Sequence, residues 1–264
     1  MKKIAASLFT LLVMFAPPGF GAEPSTILSA AALAESMRQA SYSDGFEERM
    51  NITTVNSEGH RSVPIKLAVI GQFGTERQRL LIRGISPANV RDRFVFAERH
   101  ADGWIRANEY GAHIARGNKE VDLFTHLFDT ELVIWDMFGP WWHWPKQSLG
   151  GTERIEGRNC TNVRSQSDSG IYPIREVVSC VDKDAGLSLK TQLFDGRHKL
   201  IRTISVVQMV GKESGAMAAK EVSIKGPDNS VTEAELYSGD EHYSITPDTF
   251  PSFNSHPIAG KQGG

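Results

Sequence analysis

Alternation of apolar and polar residues divides most of this chain into runs of strand length. Period-two stretches such as 201–206 place successive side chains on opposite faces of a sheet. Asp102-Gly103 and Asp195-Gly196 are dipeptides typical of tight hairpins. The pattern predicts an antiparallel sheet of about ten or eleven strands, at 46–55, 62–72, 77–83, 94–99, 104–110, 153–164, 172–181, 187–194, 199–210, 220–225 and 231–237.

A short helix is predicted before the first strand. Ser25 or Thr26 can cap its N-terminus, and helical spacing of apolar residues continues to about Gln39. Most of these apolar positions are alanines, so the helix can lie close against a sheet.

Residues 119–145, which we call the aromatic segment, interrupt the strand pattern. They contain most of the tryptophans in the chain. Glu131 lies in the middle of an otherwise apolar half of the helical wheel, and a break near Asp129 and Thr130, with either residue capping a second short helix, removes this conflict. The pattern therefore predicts a broken amphipathic helix, with its apolar half formed by Leu123, Phe124, Leu127, Phe128, Leu132, Ile134, Trp135 and Phe138.

The aromatic segment has two possible roles. It either covers the open end of a sheet as ordinary core, or it forms a lid over an apolar cavity that holds a ligand. Its place midway along an antiparallel sheet favours the lid. Trp141, Trp142 and Trp144 would then form a rim, where each ring faces apolar ligand on one side and water on the other.

The N-terminus has the layout of a secretory signal peptide. Lys2 and Lys3 precede an apolar run at 4–16, and small residues follow it. Cleavage after Gly21 places small residues at the positions that the peptidase reads, and the apolar run is shorter than the ~20 residues that span a membrane. Because no cysteine follows the cleavage region, we expect an exported, soluble mature protein in the periplasm, without a lipid anchor.

The charge of the mature chain argues against nucleic acid as a partner. Removing the two signal-peptide lysines changes the formal net charge from −2 to −4, and no block of basic residues occurs. Phosphate binding to nucleic acid needs a clustered positive patch. Since the chain has no internal repeat and no Pro-rich or Ser-rich linker, we expect one domain over 22–253 and a flexible tail at 254–264.

The chain contains two cysteines, Cys160 and Cys180, which an exported protein can keep oxidised. A hairpin centred near Gly170 places them directly opposite one another, ~4.5–5.5 Å apart, which is within disulfide range. The bridge would contribute ~3 kcal/mol in the chain-entropy model. A catalytic thiol pair is more often spaced as Cys-x-x-Cys, so we predict a structural disulfide.

The sequence carries no recognisable catalytic motif. It lacks a Gly-x-Ser-x-Gly elbow, a phosphate loop and a Gly-x-Gly-x-x-Gly fingerprint. The histidines show no metal-ligand spacing with cysteine or aspartate, and acidic pairs such as Glu153 and Glu156 are typical of a solvated face. We therefore predict a protein that is not an enzyme and has neither a metal site nor a cofactor.

Four stretches, taken in order along the chain, match the landmarks of one protein family. They are Ile-Ser-Pro-Ala-Asn-Val-Arg-Asp-Arg-Phe-Val-Phe at 85–96, Ile-Trp-Asp-Met at 134–137, and the stretches 149–160 and 194–203. Together with the signal peptide, the helix and the early strands, they resemble the LolA-like family of periplasmic lipoprotein-sorting proteins. The resemblance implies an unclosed β-barrel, formed by a single strongly curved antiparallel sheet with helices covering its concave face.

The resemblance also implies a function, that of a non-enzymatic carrier of lipid or lipoprotein acyl chains between membranes. An inner-membrane transporter or exporter would be a partner, and membrane contact would be transient. The alternative is a periplasmic signalling or scaffold module that binds an exporter or a lipoprotein. For the carrier, we expect the hydrophobic cavity and lid to be formed by Phe94, Phe96, Trp104, Leu127, Phe128, Trp135, Phe138, Trp141 and Trp142.

Overall fold

The computed structural model describes residues 29–111, 114, 118–169, 172–211 and 217–253. The predicted signal peptide, its cleavage site and the predicted tail at 254–264 lie outside the described residues. Thirteen strands of the described part form one antiparallel sheet that does not close into a barrel. The predicted mainly β fold is therefore confirmed.

The sheet consists of two consecutive meanders that meet where β1 pairs with β13. Strands β1–β6 occupy Ser43–Val55, Ile65–Phe73, Arg77–Ser86, Phe94–His100, Ile105–Tyr110 and Asn118–Glu120. Strands β7–β13 occupy Lys146–Ile155, Arg158–Gln166, Ile174–Asp182, Leu187–Asp195, Leu200–Gly211, Met217–Lys225 and Val231–Asp240. Because the order across the sheet is β6-β5-β4-β3-β2-β1-β13-β12-β11-β10-β9-β8-β7, strands β6 and β7 form its two edges.

The sequence pattern misses two strands, β6 and β7. Strands β7 and β8 are joined by a tight turn at Glu156 and Gly157, which have positive φ angles of 45° and 77°. One strand is predicted at 153–164, across this Glu-Gly turn, where the chain forms a hairpin. Strand β6 has only three residues, too few to show a periodicity.

Three short helices accompany the sheet: α1 (Ala30–Ser41), α2 (Ala88–Arg91) and α3 (Ile134–Phe138). Helix α1 has Ser29 as its N-cap, which accepts a hydrogen bond of 3.1 Å from the backbone N–H of Ala32; the predicted caps Ser25 and Thr26 lie outside the described residues. This helix contacts β7, β8 and β10 from the second meander. Within the described ranges, every helix is too short or too polar to cross a membrane.

One face of the sheet holds the main hydrophobic core. A single cluster joins α1 and the aromatic segment to both meanders, for example through Leu80 and Val95 from the first and Val163 and Val177 from the second. Strands that are far apart in the strand order share this cluster because the sheet curves around it. The cluster therefore lies on the concave face.

The opposite, convex face is partly covered by the segment after β13. The rings of Phe250 and Phe253 lie 5.7 Å and 4.5 Å from that of Phe96. Because side chains alternate along a strand, Phe94 and Phe96 belong to this convex cluster, whereas Val95 between them belongs to the concave core.

Cys160 and Cys180 form the predicted disulfide, with their Cα atoms 5.2 Å apart. The predicted register is wrong by two residues, because Asn162 rather than Cys160 lies opposite Cys180. The hairpin is thus centred one position later than Gly170. The bridge runs diagonally between β8 and β9, and Leu189 belongs to the same apolar cluster.

Candidate functional site

The aromatic segment connects the two edges of the sheet, since it follows β6 and precedes β7. It is not the broken amphipathic helix that its pattern predicts. Helix α3 has five residues, and the other helical parts are 3-10 turns at Leu127–Asp129 and Pro140–His143. The predicted break is present, because Phe128 and Asp129 adopt positive φ angles of 53° and 59°. Neither Asp129 nor Thr130 caps α3, which is preceded by Val133.

The side chains of the aromatic segment pack as part of the concave core. Trp135 is fully buried, with its ring 5.4 Å from that of Phe124 and 5.5 Å from that of Trp141. Phe138 stacks on Phe73 of β2 at 5.9 Å. The segment therefore lies against the sheet.

The predicted aromatic rim is wrong for Trp141 and Trp142, which are both buried. Backbone carbonyls in this part of the segment are held by two polar side chains. Arg38 of α1 donates a hydrogen bond to the carbonyl of Trp142. Gln147 of β7 donates to the carbonyls of Trp141 (3.0 Å) and Trp144 (2.9 Å). These contacts fix the end of the segment between α1 and the sheet edge.

Glu131 is buried, in spite of its charge, at the middle of the aromatic segment. Its backbone N–H donates a hydrogen bond of 2.8 Å to Oγ1 of Thr232, and its Oε1 accepts one of 2.7 Å from Oγ of Ser230. Both partners lie at the start of β13 or just before it. The polar residue that conflicts with a simple amphipathic helix therefore ties the segment to the sheet.

Asp136 of α3 forms a buried ion pair with Arg202 of β11. Their Oδ2 and Nε atoms lie 2.8 Å apart. Burial raises the pKa of Asp136 to about 7, although the positive charge of Arg202 acts to lower it. In the described part of the chain no donor is well aligned with either carboxylate oxygen of Asp136. The two charges attract one another without a good hydrogen bond, which fits the raised pKa.

A cavity of about 1220 Å³ opens at the end of the sheet near the C-terminus of α1. It exceeds the ~300–1,000 Å³ of typical small-molecule pockets. Phe73 lies in the cavity wall and also stacks on Phe138, so the cavity adjoins the aromatic segment. Its apolar lining consists mainly of Phe46, Phe73, Val210, Leu236, Tyr243 and Ile245.

The structure divides the predicted ligand-binding residues into two groups. Phe94 and Phe96 belong to the convex cluster, and Trp104 is 53% exposed beside His100 and Arg106. Placing these three on the concave side is wrong, since Phe94 and Phe96 alternate with the residues that face it and Trp104 lies in the turn before β5. The remaining predicted residues converge in the concave core: Leu127, Phe128, Trp135, Phe138, Trp141 and Trp142.

None of the predicted residues is among those that line the cavity in the part of the chain that the structure describes. The cavity is formed by the ends of β1, β2, β11 and β13 and by the chain after β13. Apolar residues at these strand ends, such as Phe46 and Phe73, are the signal that the sequence offers. Across the described ranges, no three His, Cys, Asp or Glu side chains are arranged to hold a metal ion.

Comparison with known proteins identifies the fold. No protein-family model matches the chain, and no curated protein sequence does. A DUF1329 family protein from Desulfovibrio piger has a TM-score of 0.73 at 16% identity, over 82% of this chain and 93% of that protein. A domain from Vibrio parahaemolyticus, described as outer membrane lipoprotein-sorting, has a TM-score of 0.73 at 12% identity, over 83% and 94%. A LolA superfamily protein from Nitrosomonas europaea has a TM-score of 0.66 at 12% identity, over 85% and 98%. The chain therefore has the fold of the LolA superfamily and DUF1329 proteins.

Proposed function

We propose that this protein is an exported, non-enzymatic periplasmic carrier of a lipid-like ligand. The observation that carries the proposal is the large cavity beside the aromatic segment, in which apolar side chains such as Phe46, Phe73 and Leu236 lie among polar and acidic ones. Two proteins with the same fold, one described as a lipoprotein-sorting domain and one as a LolA superfamily protein, support a carrier role by analogy of fold.

The chemistry of the cavity suits an acyl chain. Each CH₂ group moved from water to an apolar wall contributes ~0.8 kcal/mol, so a long chain gains enough to bind without directional contacts. The wall residues Phe46, Phe73 and Leu236 come from three neighbouring strands. A chain lying along this wall would contact the sheet over several strands.

The aromatic segment has a different part in this proposal from the one that its sequence suggests. Phe138 packs against the cavity-lining Phe73, so the segment lies behind this part of the wall. Movement of Phe138 away from Phe73 would join the cavity to the space that the segment now fills. Such a movement would enlarge the site for lipoprotein acyl chains. An inner-membrane transporter or exporter as partner stays a prediction.

Binding of a fluorescent fatty acid to the purified mature chain tests the carrier. We expect saturable binding that the variant Val210→Trp weakens by about tenfold or more, equivalent to ~1.4 kcal/mol, because the indole would occupy the cavity. Val207→Trp is the matched control. Val207 and Val210 lie on the same strand and are similarly exposed, at 45% and 40%, but only Val210 lines the cavity.

Two outcomes would contradict the carrier. One is the absence of saturable acyl binding and of lipid extractable from the purified protein. The other is equal loss of binding in Val207→Trp and Val210→Trp, which would place the probe outside the cavity. A stable protein partner recovered without lipid would favour the signalling or scaffold alternative.

A further inference from the structure

Arg99 places a charge on the apolar, concave side of the sheet. Val95 and Ala97, which alternate in phase with it along β4, both belong to the concave core. Arg99 itself is only 4% exposed. The same row across the sheet holds Gln78 of β3 on one side and Ile105 of β5 on the other.

The guanidinium of Arg99 has no partner among the residues that the structure describes. It makes neither a hydrogen bond nor an ion pair with them, and its Nε is wholly buried. The neighbouring Oε1 of Gln78 is buried and also lacks a hydrogen bond. A guanidinium stays protonated in proteins, and a buried charge without a partner is strongly unfavourable. The guanidinium is therefore suited to bind an anion, whereas Gln78 can take part only through its Nε2 donors, since its buried Oε1 is an acceptor.

The surroundings of Arg99 are short of negative charge. Burial lowers the pKa of its guanidinium, and Tyr42, Tyr172 and Asp102 act in the opposite direction from a distance. The second arginine nearby, Arg38, already donates hydrogen bonds to the carbonyl of Trp142 and to Glu35.

His143 lies in the field of the same two arginines. Partial burial, followed by the positive charges of Arg99 and Arg38, lowers its pKa to about 4, although the residue as a whole remains exposed. An anion bound beside Arg99 would raise that pKa.

Neither Arg99 nor Gln78 lines the cavity, but both lie in the same row across the sheet as Phe73, which does. In the strand register, Gln78 of β3 lies opposite Arg99 of β4 on one side and opposite Phe73 of β2 on the other, and Phe73 lines the cavity. Adjacent strands are ~4.8 Å apart, so Arg99 is about two strand spacings, ~10 Å, from Phe73 along the row. One amphiphile can therefore span both places.

We propose that Arg99 and Gln78 bind an anionic group, a phosphate or a carboxylate, carried as the head group of the amphiphile whose chain lies in the cavity. The inference rests on the proposed function. A guanidinium offers paired N–H donors that match two oxygens of a carboxylate or phosphate, and the carboxamide of Gln78 offers further donors beside it. The head group would supply the negative charge that the surrounding side chains do not.

Carboxylates at the cavity mouth do not oppose this arrangement strongly. Asp44 and Asp240 are exposed, where water and salt screen their charges, and Glu47 is paired with Arg49 at 3.2 Å. Arg99 is buried, where the effective dielectric constant is lower and the Coulomb attraction between opposite charges is stronger. The head group is therefore expected to lie at Arg99, away from the mouth.

The test uses two probes that differ in charge, palmitic acid and its methyl ester, each displacing a fluorescent acyl probe from the mature chain. Hydrogen bonds to charged groups contribute ~1.5–3 kcal/mol, so the acid should bind about 10- to 100-fold more tightly than the ester. Arg99→Met should abolish this preference by weakening the binding of the acid. Arg83→Met is the matched control, since it removes the same charge from an exposed position on β3 and should keep the preference.

Each other outcome has a definite consequence. Equal affinity for acid and ester in the wild type, or a preference that survives Arg99→Met, overturns the head-group site and leaves the carrier intact. Failure of both probes overturns the carrier, and inorganic phosphate alone then decides the anion site. The site stands if phosphate raises the pKa of His143, followed by NMR, in the wild type but not in Arg99→Met. It falls if that pKa does not change.

Discussion

Two buried arginines on the concave side of the sheet have opposite surroundings. Arg202 on β11 is 5% exposed and meets Asp136 of the aromatic segment at 2.8 Å. Arg99 on β4 is 4% exposed and has no ion-pair partner in the described ranges. Burial is therefore the same for both, and only the presence of a carboxylate distinguishes them.

The pairing of each arginine indicates its role. A buried pair that loses one member leaves an uncompensated charge, whereas an arginine without a partner has no pair to lose. Arg202 therefore serves to hold the aromatic segment against the second meander. Arg99 contributes little to the fold and is available to a ligand. Four predictions test this contrast, from the largest expected effect to the smallest.

Removing Arg202 should have the largest effect. Arg202→Met leaves the buried Asp136 without its counter-charge, and at pH 9, where Asp136 with its pKa of about 7 is ionised in the wild type, we expect the free energy of unfolding to fall by about 3–5 kcal/mol. Denaturant unfolding measures the change. In the double variant with Asp136→Asn no carboxylate is left unpaired, so much of the loss should be recovered. A loss that is the same in the double variant would contradict a role for the pair.

Thr232 should have the next largest effect, because it accepts the hydrogen bond from the backbone N–H of Glu131. Thr232→Val leaves that buried N–H without an acceptor, so we expect a loss of about 1–3 kcal/mol in thermal or denaturant unfolding. Thr203→Val on β11 is the control, since its hydroxyl makes no hydrogen bond among the described residues, and it should change stability by less than about 0.5 kcal/mol. Equal losses in the two variants would mean that the hydrogen bond from Glu131 to Thr232 does not stabilise the fold.

Burial of the Asp136 carboxyl should also make the free energy of unfolding depend on pH. Asp136 has a pKa of about 7 in the folded protein, raised from 3.8. Its contribution to stability is therefore complete below pH 3.8 and is lost as the pH rises through 7, with a slope of at most about 1.4 kcal/mol per pH unit. His143 acts in the opposite direction, because its pKa is lowered to about 4.

Comparison of the wild type with Asp136→Asn isolates this slope. Denaturant unfolding gives both free energies from pH 4 to pH 7. The free energy of unfolding of the wild type minus that of the variant should decrease steadily over this range. Repeating the comparison in a His143→Gln background removes the opposing titration. A difference that stays constant across the range would show that Asp136 does not titrate there.

Local patterns predict the sheet well because its strands are hairpins formed from neighbours in sequence. Asp102-Gly103 lies in the connection between β4 and β5, and Asp195-Gly196 spans the end of β10 and the start of its connection to β11. The aromatic segment is not predictable in the same way, since its conformation depends on distant partners. Glu131 is held by Ser230 and Thr232, about a hundred positions later, and no periodicity reports such a contact.

The site is partly predictable from alternation along the strands. Phe94-Val95-Phe96 is apolar on both faces, so some of these residues had to face away from the aromatic segment, and the structure places both phenylalanines there. The same alternation puts Arg99 in phase with Val95, a polar residue in an apolar row. The lack of a partner for Arg99 is not visible in the sequence, because it depends on every element that packs above β4.

Removing Arg99 should have the smallest effect on stability. Replacing a buried, unpaired charge by a methionine of similar length removes a desolvation cost, so the free energy of unfolding of Arg99→Met should stay within about 1 kcal/mol of the wild type or rise. Urea unfolding without added lipid gives the value, and Arg202→Met under the same conditions is the reference. If Arg99→Met loses as much stability as Arg202→Met, then both arginines hold the fold together and the contrast between them fails. If it is neutral and also loses the preference for a charged head group, the two buried arginines have separate roles, because among the described residues only Arg202 has its counter-charge.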